Sequence, residues 1–303
     1  MAGSQDFAAD PRNAAVLVYL NGDLVPREAA KVSIFDAGFG LGDGIWEGLR
    51  LHKRALLFLE AHLDRLFAGA KAIALPLPFD RGRLVGELKR LLDANAMTDG
   101  AHLRLMVTRG LKASINQDPR HALGEPTVAI TAEYKAPPAG QARGLRLATS
   151  SIRTSGPEIF DMRINSHSRL NLIRALLEAM GVGCDEALML DPHGNIASCN
   201  ATNFFWVKGG TVFTSGDLYC FNGITRGNVI EACRAGAAPL EQGDFPLSHL
   251  ADADEAFVTG TMGGVTAVTD IDGRALSPGP ITARLREAYE AMKDADAAAH
   301  PLV

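Results

Sequence analysis

From Asp36 to Glu47 the chain reads Asp-Ala-Gly-Phe-Gly-Leu-Gly-Asp-Gly-Ile-Trp-Glu. Gly38, Gly40, Gly42 and Gly44 put four glycines in the nine residues from Asp36 to Gly44. That density excludes a regular element and predicts a loop whose backbone lies tight against its neighbours. Just beyond, Ile45 to His52 (IWEGLRLH) alternates like a strand, and Ala55 to Leu59 closes a hairpin on it. Upstream, VLVYLNGDLV gives two short strands around Asn21-Gly22-Asp23. Asn-Gly between apolar runs marks a tight hairpin, because both central residues must tolerate positive φ. Residues 1–14 are small and polar and are expected to be disordered or draped.

Downstream, apolar residues at Leu63, Leu66, Phe67, Ala70, Ile73 and Ala74 fall three and four apart and predict one buried helical stripe over Glu60–Ala74. A second helix is predicted over Phe79–Asn95, with Asp80 as its cap and Leu84, Leu88, Leu91 and Leu92 facing inward. Strands follow at His102–Thr108 and Thr127–Tyr134. Lys135-Ala-Pro-Pro-Ala-Gly-Gln141 then separates two pattern-rich halves and reads as a linker, giving domains 1–134 and 142–303. In the second half Leu145–Ser150 and Arg163–His167 read as strands. The latter feeds a helix bearing Leu170, Ile173, Leu176, Leu177 and Met180. Further strands fall at Ala187–Leu190, Asn203–Val207, Val212–Thr214, Glu255–Thr259 and Val265–Ile271. Helices start near Thr225 and run from about Thr282 to Asp294. Short strands interleaved with a few helices, without an internal repeat, predict a two-domain α+β protein.

Composition narrows the function. With 303 residues, 47% of them hydrophobic and 21% charged, the chain can build a substantial core. Thirty basic against thirty-five acidic side chains leave a net charge of −5. This argues against a nucleic-acid or anionic-membrane surface, which needs clustered positive charge. No apolar run reaches the ~18 residues of a spanning helix, and the N-terminus shows no secretory pattern. Cys184, Cys199, Cys220 and Cys233 form no CxxC pair, so neither a disulfide framework nor a metal site is expected, and the cytoplasm is the expected compartment.

Three features share one physical meaning. Phe221-Asn-Gly-Ile-Thr225 precedes a helix, whose N-terminal N–H groups around Ile224 and Thr225 suit an anion. Thr259-Gly-Thr-Met-Gly-Gly264 follows a strand and offers a hydroxyl at Thr261 beside small residues. Arg65 lies on the inner helix, three residues after His62. Each has an ordinary alternative: a helix cap, a tight turn, a salt-bridged surface arginine.

In combination and order, these segments resemble the fold-type IV pyridoxal-phosphate enzymes: the branched-chain and D-amino-acid aminotransferases and aminodeoxychorismate lyase. The resemblance is carried by Asp36–Glu47, His62-Leu-Asp-Arg65-Leu66, Gly183-Cys-Asp-Glu-Ala-Leu-Met-Leu-Asp191, Asn203-Phe-Phe, Asn222-Gly-Ile-Thr-Arg226, Ala253-Asp-Glu-Ala-Phe257 and Gly260-Thr261. It implies a class IV aminotransferase-like enzyme acting on amino acids or amines and keto acids. It also implies pyridoxal or pyridoxamine phosphate as cofactor, with the phosphate held by Arg65, Ile224, Thr225 and Thr261. By the same resemblance Trp46 lines the substrate pocket, Arg104 meets the substrate carboxylate, and the chain is a homodimer with sites between domains completed by the partner subunit. For Trp46 and Arg104 a core aromatic and a surface arginine are equally good readings.

The chain departs from the family at two positions. Counting back from Glu178-Ala179, the family's Schiff-base lysine falls on Ile164 or Asn165, and no lysine occurs between Lys135 and Lys208. Arg163 cannot replace it, since a guanidinium stays protonated. The family's glutamate opposite the pyridine nitrogen falls on Ser198, which removes the charge that keeps that nitrogen protonated. The cofactor is therefore expected to bind without a covalent tether. In an Arg163–His167 strand, Arg163, Asn165 and His167 would share one face, and His167 titrates near neutrality and could carry a proton. Unrelated vitamin-B6 dehydratases with histidine in the lysine's place offer a parallel. Two alternatives stay open: a lyase, racemase or dehydratase-like enzyme using His167, or a protein for another phosphorylated or anionic ligand.

Overall fold

The computed structural model describes residues 3, 6–136 and 143–303, so residues 137–141 of the expected linker lie outside the described residues. The chain forms two compact units. The N-terminal unit gathers Ala9–Ala136, Ile164–Ser168 and Lys293–Val303, and the C-terminal unit takes the described residues of Met1–Ala8, Pro137–Arg163 and Arg169–Met292.

The strands of the N-terminal unit are β1 (Leu17–Leu20), β2 (Asp23–Pro26), β3 (Gly44–His52), β4 (Ala55–Leu56), β5 (Ala101–Thr108), β6 (Leu111–Lys112), β7 (Ala122–Leu123) and β8 (Thr127–Tyr134). Six of them make an antiparallel sheet in the order β2-β1-β8-β5-β3-β4, and β6 pairs with β7 apart from it. Asn21 and Gly22, at φ 50° and 103°, turn the first hairpin as the Asn-Gly signal requires. One face of the sheet carries Leu49, Leu51, Leu103, Leu105, Val128 and Ile130. Against it pack α2 (Leu59–Ala72), through Leu63, Leu66 and Ala70, and α3 (Arg81–Ala94), through Leu84, Leu88, Leu91 and Leu92. The Asp80 carboxylate accepts from the Arg83 N–H and caps α3. Alternation leaves Trp46, Gly48 and Arg50 of β3 and His102, Arg104 and Met106 of β5 on the opposite face.

The glycine-rich stretch is not wholly loop. Ala37–Leu41 form a short helix, α1, capped by the Asp36 carboxylate on the Gly38 N–H and stopped by Gly42 at φ 69°. A side-chain cap and a left-handed terminator suffice to hold one turn despite the glycines. The tight packing is there: a Cβ on Gly38 would collide with Thr108.

The C-terminal unit holds one nine-stranded sheet. Its strands are β9 (Leu145–Thr149), β10 (Glu186–Leu190), β11 (Ile196–Cys199), β12 (Asn203–Lys208), β13 (Thr211–Ser215), β14 (Leu240–Gly243), β15 (Glu255–Gly260), β16 (Gly264–Ile271) and β17 (Arg274–Ala275). The order is β11-β10-β9-β16-β15-β12-β13-β14, with β17 on β16. The helices are α4 (Leu170–Gly181), α5 (Ile224–Ala232) and α6 (Pro280–Ala299), and the last residues of α6 belong to the N-terminal unit. Helix α4 turns Ala175 and Ala179 to the sheet beside Ala187 and Met189, leaving Leu170, Ile173, Leu177 and Met180 exposed.

The expected strand at Arg163–His167 does not form. Ser166 makes an isolated bridge to Ile45, and the segment is otherwise irregular. Its hydrogen bonds go to the first residues of β3 rather than to a ladder of its own.

Candidate active site

In the C-terminal unit, side chains from β12 and α5 build the start of α5. Asn203, at the start of β12, donates from Nδ2 to the Phe221 carbonyl at 2.6 Å and fixes the turn that leads into the helix. Gly223 is the N-cap, with extended backbone and no side-chain cap on the first helical N–H groups. A Cβ there would run into Asn203 Oδ1, so a larger residue would displace the side chain that fixes the turn. Arg226 is buried and donates to the Ser215 carbonyl at 2.7 Å, while its Nη1 lies 2.9 Å from Asp217. The first turn is thereby pinned to the end of β13. Thr225 is buried, with its hydroxyl 3.3 Å from that of Tyr289 on α6. A pinned, uncapped helix start concentrates partial positive charge where an anion can take the N–H groups. Thr261 stands half-buried in the turn between β15 and β16. Two residues earlier, the buried Thr259 hydroxyl has no hydrogen-bond partner.

In the N-terminal unit Arg65 is partly buried rather than a surface residue. It donates to Glu47 side-on, Nε to Oε1 at 2.8 Å and Nη2 to Oε2 at 2.6 Å. His62 lies 2.7 Å from the same carboxylate through Nδ1. Glu47 and His62 are each 1% exposed. Burial pushes the Glu47 carboxyl up, but the bonds from Arg65 and His62 outweigh it and hold it below its ordinary value. Burial lowers His62 against the pull of Glu47, and because a carboxylate only accepts, the ring donates from Nδ1–H. The sequence motif contains Glu47 but gives it no role. Its alternation with Ile45 and Leu49 on the core face of β3 is the signal, because a lone acid there demands a partner.

On the other face of that sheet, the Arg104 guanidinium stacks on the Trp46 ring, 3.8 Å from its centroid. The Trp46 indole N–H donates to the Ser166 carbonyl at 3.1 Å, so the ring is fixed at both edge and face. Gly48 lies opposite Arg104 in the strand register, and a Cβ there would crowd the His102 ring. Neither the Arg104 nor the His102 side chain makes a hydrogen bond or ion pair among the described residues. Burial, followed by Lys135, Arg104 and Arg50, pushes His102 down to about 3. Sequence reasoning gives His102 no role. Its place two residues before Arg104 on one strand is the available signal.

The positions that would carry the chemistry are occupied differently. Asn165 is buried, and its backbone carbonyl accepts the Trp46 N–H at 2.9 Å. Ile164 packs into the hydrophobic core. The His167 N–H donates to the Gly44 carbonyl at 2.9 Å, and its Nε2 lies 3.1 Å from the Ile45 carbonyl. Arg163 is exposed and paired with Asp161. The common face expected for Arg163, Asn165 and His167 therefore does not exist. Ser198 on β11 is buried and donates its hydroxyl hydrogen to the Thr202 carbonyl at 2.9 Å. No group of acidic, histidine or cysteine side chains among the described residues could hold a metal ion. No helix among them is long and apolar enough to cross a membrane.

Residues 44–271 match the model of the amino-transferase class IV family. The chain is 39% identical over 287 residues to branched-chain-amino-acid aminotransferase-like protein 2 of Arabidopsis thaliana, covering 94% of this chain and 51% of that protein. It thus spans about half the length of that relative. It is 31% identical over 285 residues to the branched-chain-amino-acid aminotransferase of Pseudomonas aeruginosa, covering 90% of this chain and 91% of that one. Among solved structures, the T.th. branched-chain amino acid aminotransferase with pyridoxamine 5′-phosphate superposes with a TM-score of 0.85 at 29% identity, covering 92% of this chain and 95% of that one. Matched over three-quarters of its length and built on the same fold, the chain belongs to the class IV aminotransferases.

Proposed function

We propose that this chain binds pyridoxal or pyridoxamine phosphate without a covalent tether and transfers an amino group between an amino acid or amine and a keto acid. The uncapped helix start at Gly223 carries this reading, since it offers backbone N–H groups and the Thr225 hydroxyl to a phosphate. The orphaned Thr259 hydroxyl nearby in sequence to Thr261 supports it. We assign the phosphate to Arg65, Ile224, Thr225 and Thr261, the residues to which the family resemblance gives that role. When bound, the cofactor supplies the conjugated ring that accepts electrons as the amino group moves.

The chain's own residues then bind and orient. Arg65 contributes a guanidinium whose plane Glu47 fixes, suited to phosphate oxygens. We assign Arg104 to a carboxylate of the substrate, because its charge is stacked on Trp46 and meets no acceptor of its own. Ser198 does not supply the negative charge of a glutamate, and its hydroxyl hydrogen is committed to Thr202. With no lysine between Lys135 and Lys208, the segment at Ile164–Asn165 provides no amine. We further propose a homodimer, supported by the exposed apolar stripe of α4, and a cytoplasmic location, supported by four free, buried cysteines.

The test is a spectral titration of purified protein with pyridoxal and pyridoxamine phosphates, followed by borohydride and mass measurement. Saturable binding with no added protein mass is the expected result. No uptake at high micromolar cofactor would end the reading, and a cofactor mass fixed to any side chain would end its untethered part.

A further inference from the structure

We propose that Glu47 is the positioning residue of the phosphate seat, acting through Arg65 alone and never touching the ligand. The inference rests on the assignment of Arg65 to the phosphate. A planar guanidinium held at both Nε and Nη2 cannot rotate about its last bonds, so the direction of its remaining edge is set by Glu47. The carboxylate is itself immobile: it sits on the core face of β3, and its second oxygen is shared with the His62 ring at 2.7 Å. His62 and Arg65 are three residues apart on α2 and so reach the same acid from one helix face. Strand, helix and three short bonds thus form one rigid mount.

The experiment uses the full chain and two probes that differ only in the phosphate, pyridoxamine 5′-phosphate and pyridoxamine. Glu47→Gln, which keeps size but removes the charge and one acceptor, is expected to weaken the phosphorylated probe about tenfold. Pyridoxamine binding should be unchanged within about twofold. Because the residue acts through Arg65, Glu47→Gln added to Arg65→Ala should cost nothing beyond Arg65→Ala alone. Additive losses, or equal losses for both probes, would overturn the proposal. If Arg65→Ala itself leaves the phosphorylated probe unaffected, the assignment of Arg65 fails instead, and the two failures are told apart. Should Glu47→Gln not fold, His62→Gln removes the third bond and leaves the Arg65 pair. A selective loss of the phosphorylated probe is again expected, and an unchanged ratio of the two affinities would overturn the idea.

Discussion

The start of α5 and the segment from Ile164 to Ser168 make an instructive pair. Both are short, irregular entries to longer elements, and both fall at positions that matter in the family. At α5 the side chains spend their hydrogen bonds on building the turn, as Asn203 does to Phe221 and Arg226 to Ser215, and leave the helix N–H groups without a side-chain cap. At 164–168 the reverse holds. The Asn165 carbonyl, the His167 N–H and the His167 ring are all bonded to the first residues of β3. Ser198 repeats this pattern on β11, its hydroxyl closing onto Thr202. A region that keeps donors unspent can receive a ligand, and one that has spent them is part of the scaffold. On the proposed function, the start of α5 is a region of the first kind and residues 164–168 are one of the second.

Four predictions would break or sharpen that contrast. Arg65→Ala should have the largest effect, a loss of about 3 kcal/mol or ~100-fold in affinity for pyridoxamine 5′-phosphate by fluorescence titration, as expected for removing a charged partner. Thr225→Val should cost about 1.5 kcal/mol, roughly tenfold in the same titration. His167→Ala and Ser198→Ala should do the opposite. Each should lower unfolding free energy by about 1 kcal/mol in urea while leaving that affinity within about twofold. A large binding defect in either would show that the region still serves the ligand. The last prediction concerns acid. His102 is held near 3 against an ordinary value of 6.5, so the unfolded chain takes up a proton that the folded chain refuses. Its contribution is fully present above pH 6.5 and is lost as pH falls toward 3. His102→Gln should therefore flatten the fall of stability across that window in pH-dependent urea melts.

Much of the frame was legible in the sequence. The Asn21-Gly22 hairpin, the stripe of α2, the Asp80 cap of α3 and the helix after Asn222-Gly223 all rest on local rules, and local rules are written in consecutive residues. What escaped was set at a distance. The Trp46 indole and the Ser166 carbonyl that receives it are 120 residues apart, so no periodicity within 163–167 could show that this segment would not extend as a strand. Helix α4 misleads for another reason. Its large residues Leu170, Ile173, Leu177 and Met180 mark the exposed face, whereas close approach to the sheet selects the small Ala175 and Ala179. In the candidate site, Arg65 and the α5 turn were readable as motifs. Glu47 was readable only as an acid at a core position, and His102 only by its neighbour.

The N-terminal unit is not finished by N-terminal sequence. Leu302 and Val303 pack on its hydrophobic core, the Leu302 N–H reaches the Arg54 carbonyl at 2.8 Å, and the Asp296 carboxylate receives the Phe58 N–H at the start of α2. During synthesis this half must therefore wait, incomplete, while the ribosome makes the whole of the other. Clipping the helix that bears Asp296 would loosen the elements made first, including the one that carries Arg65.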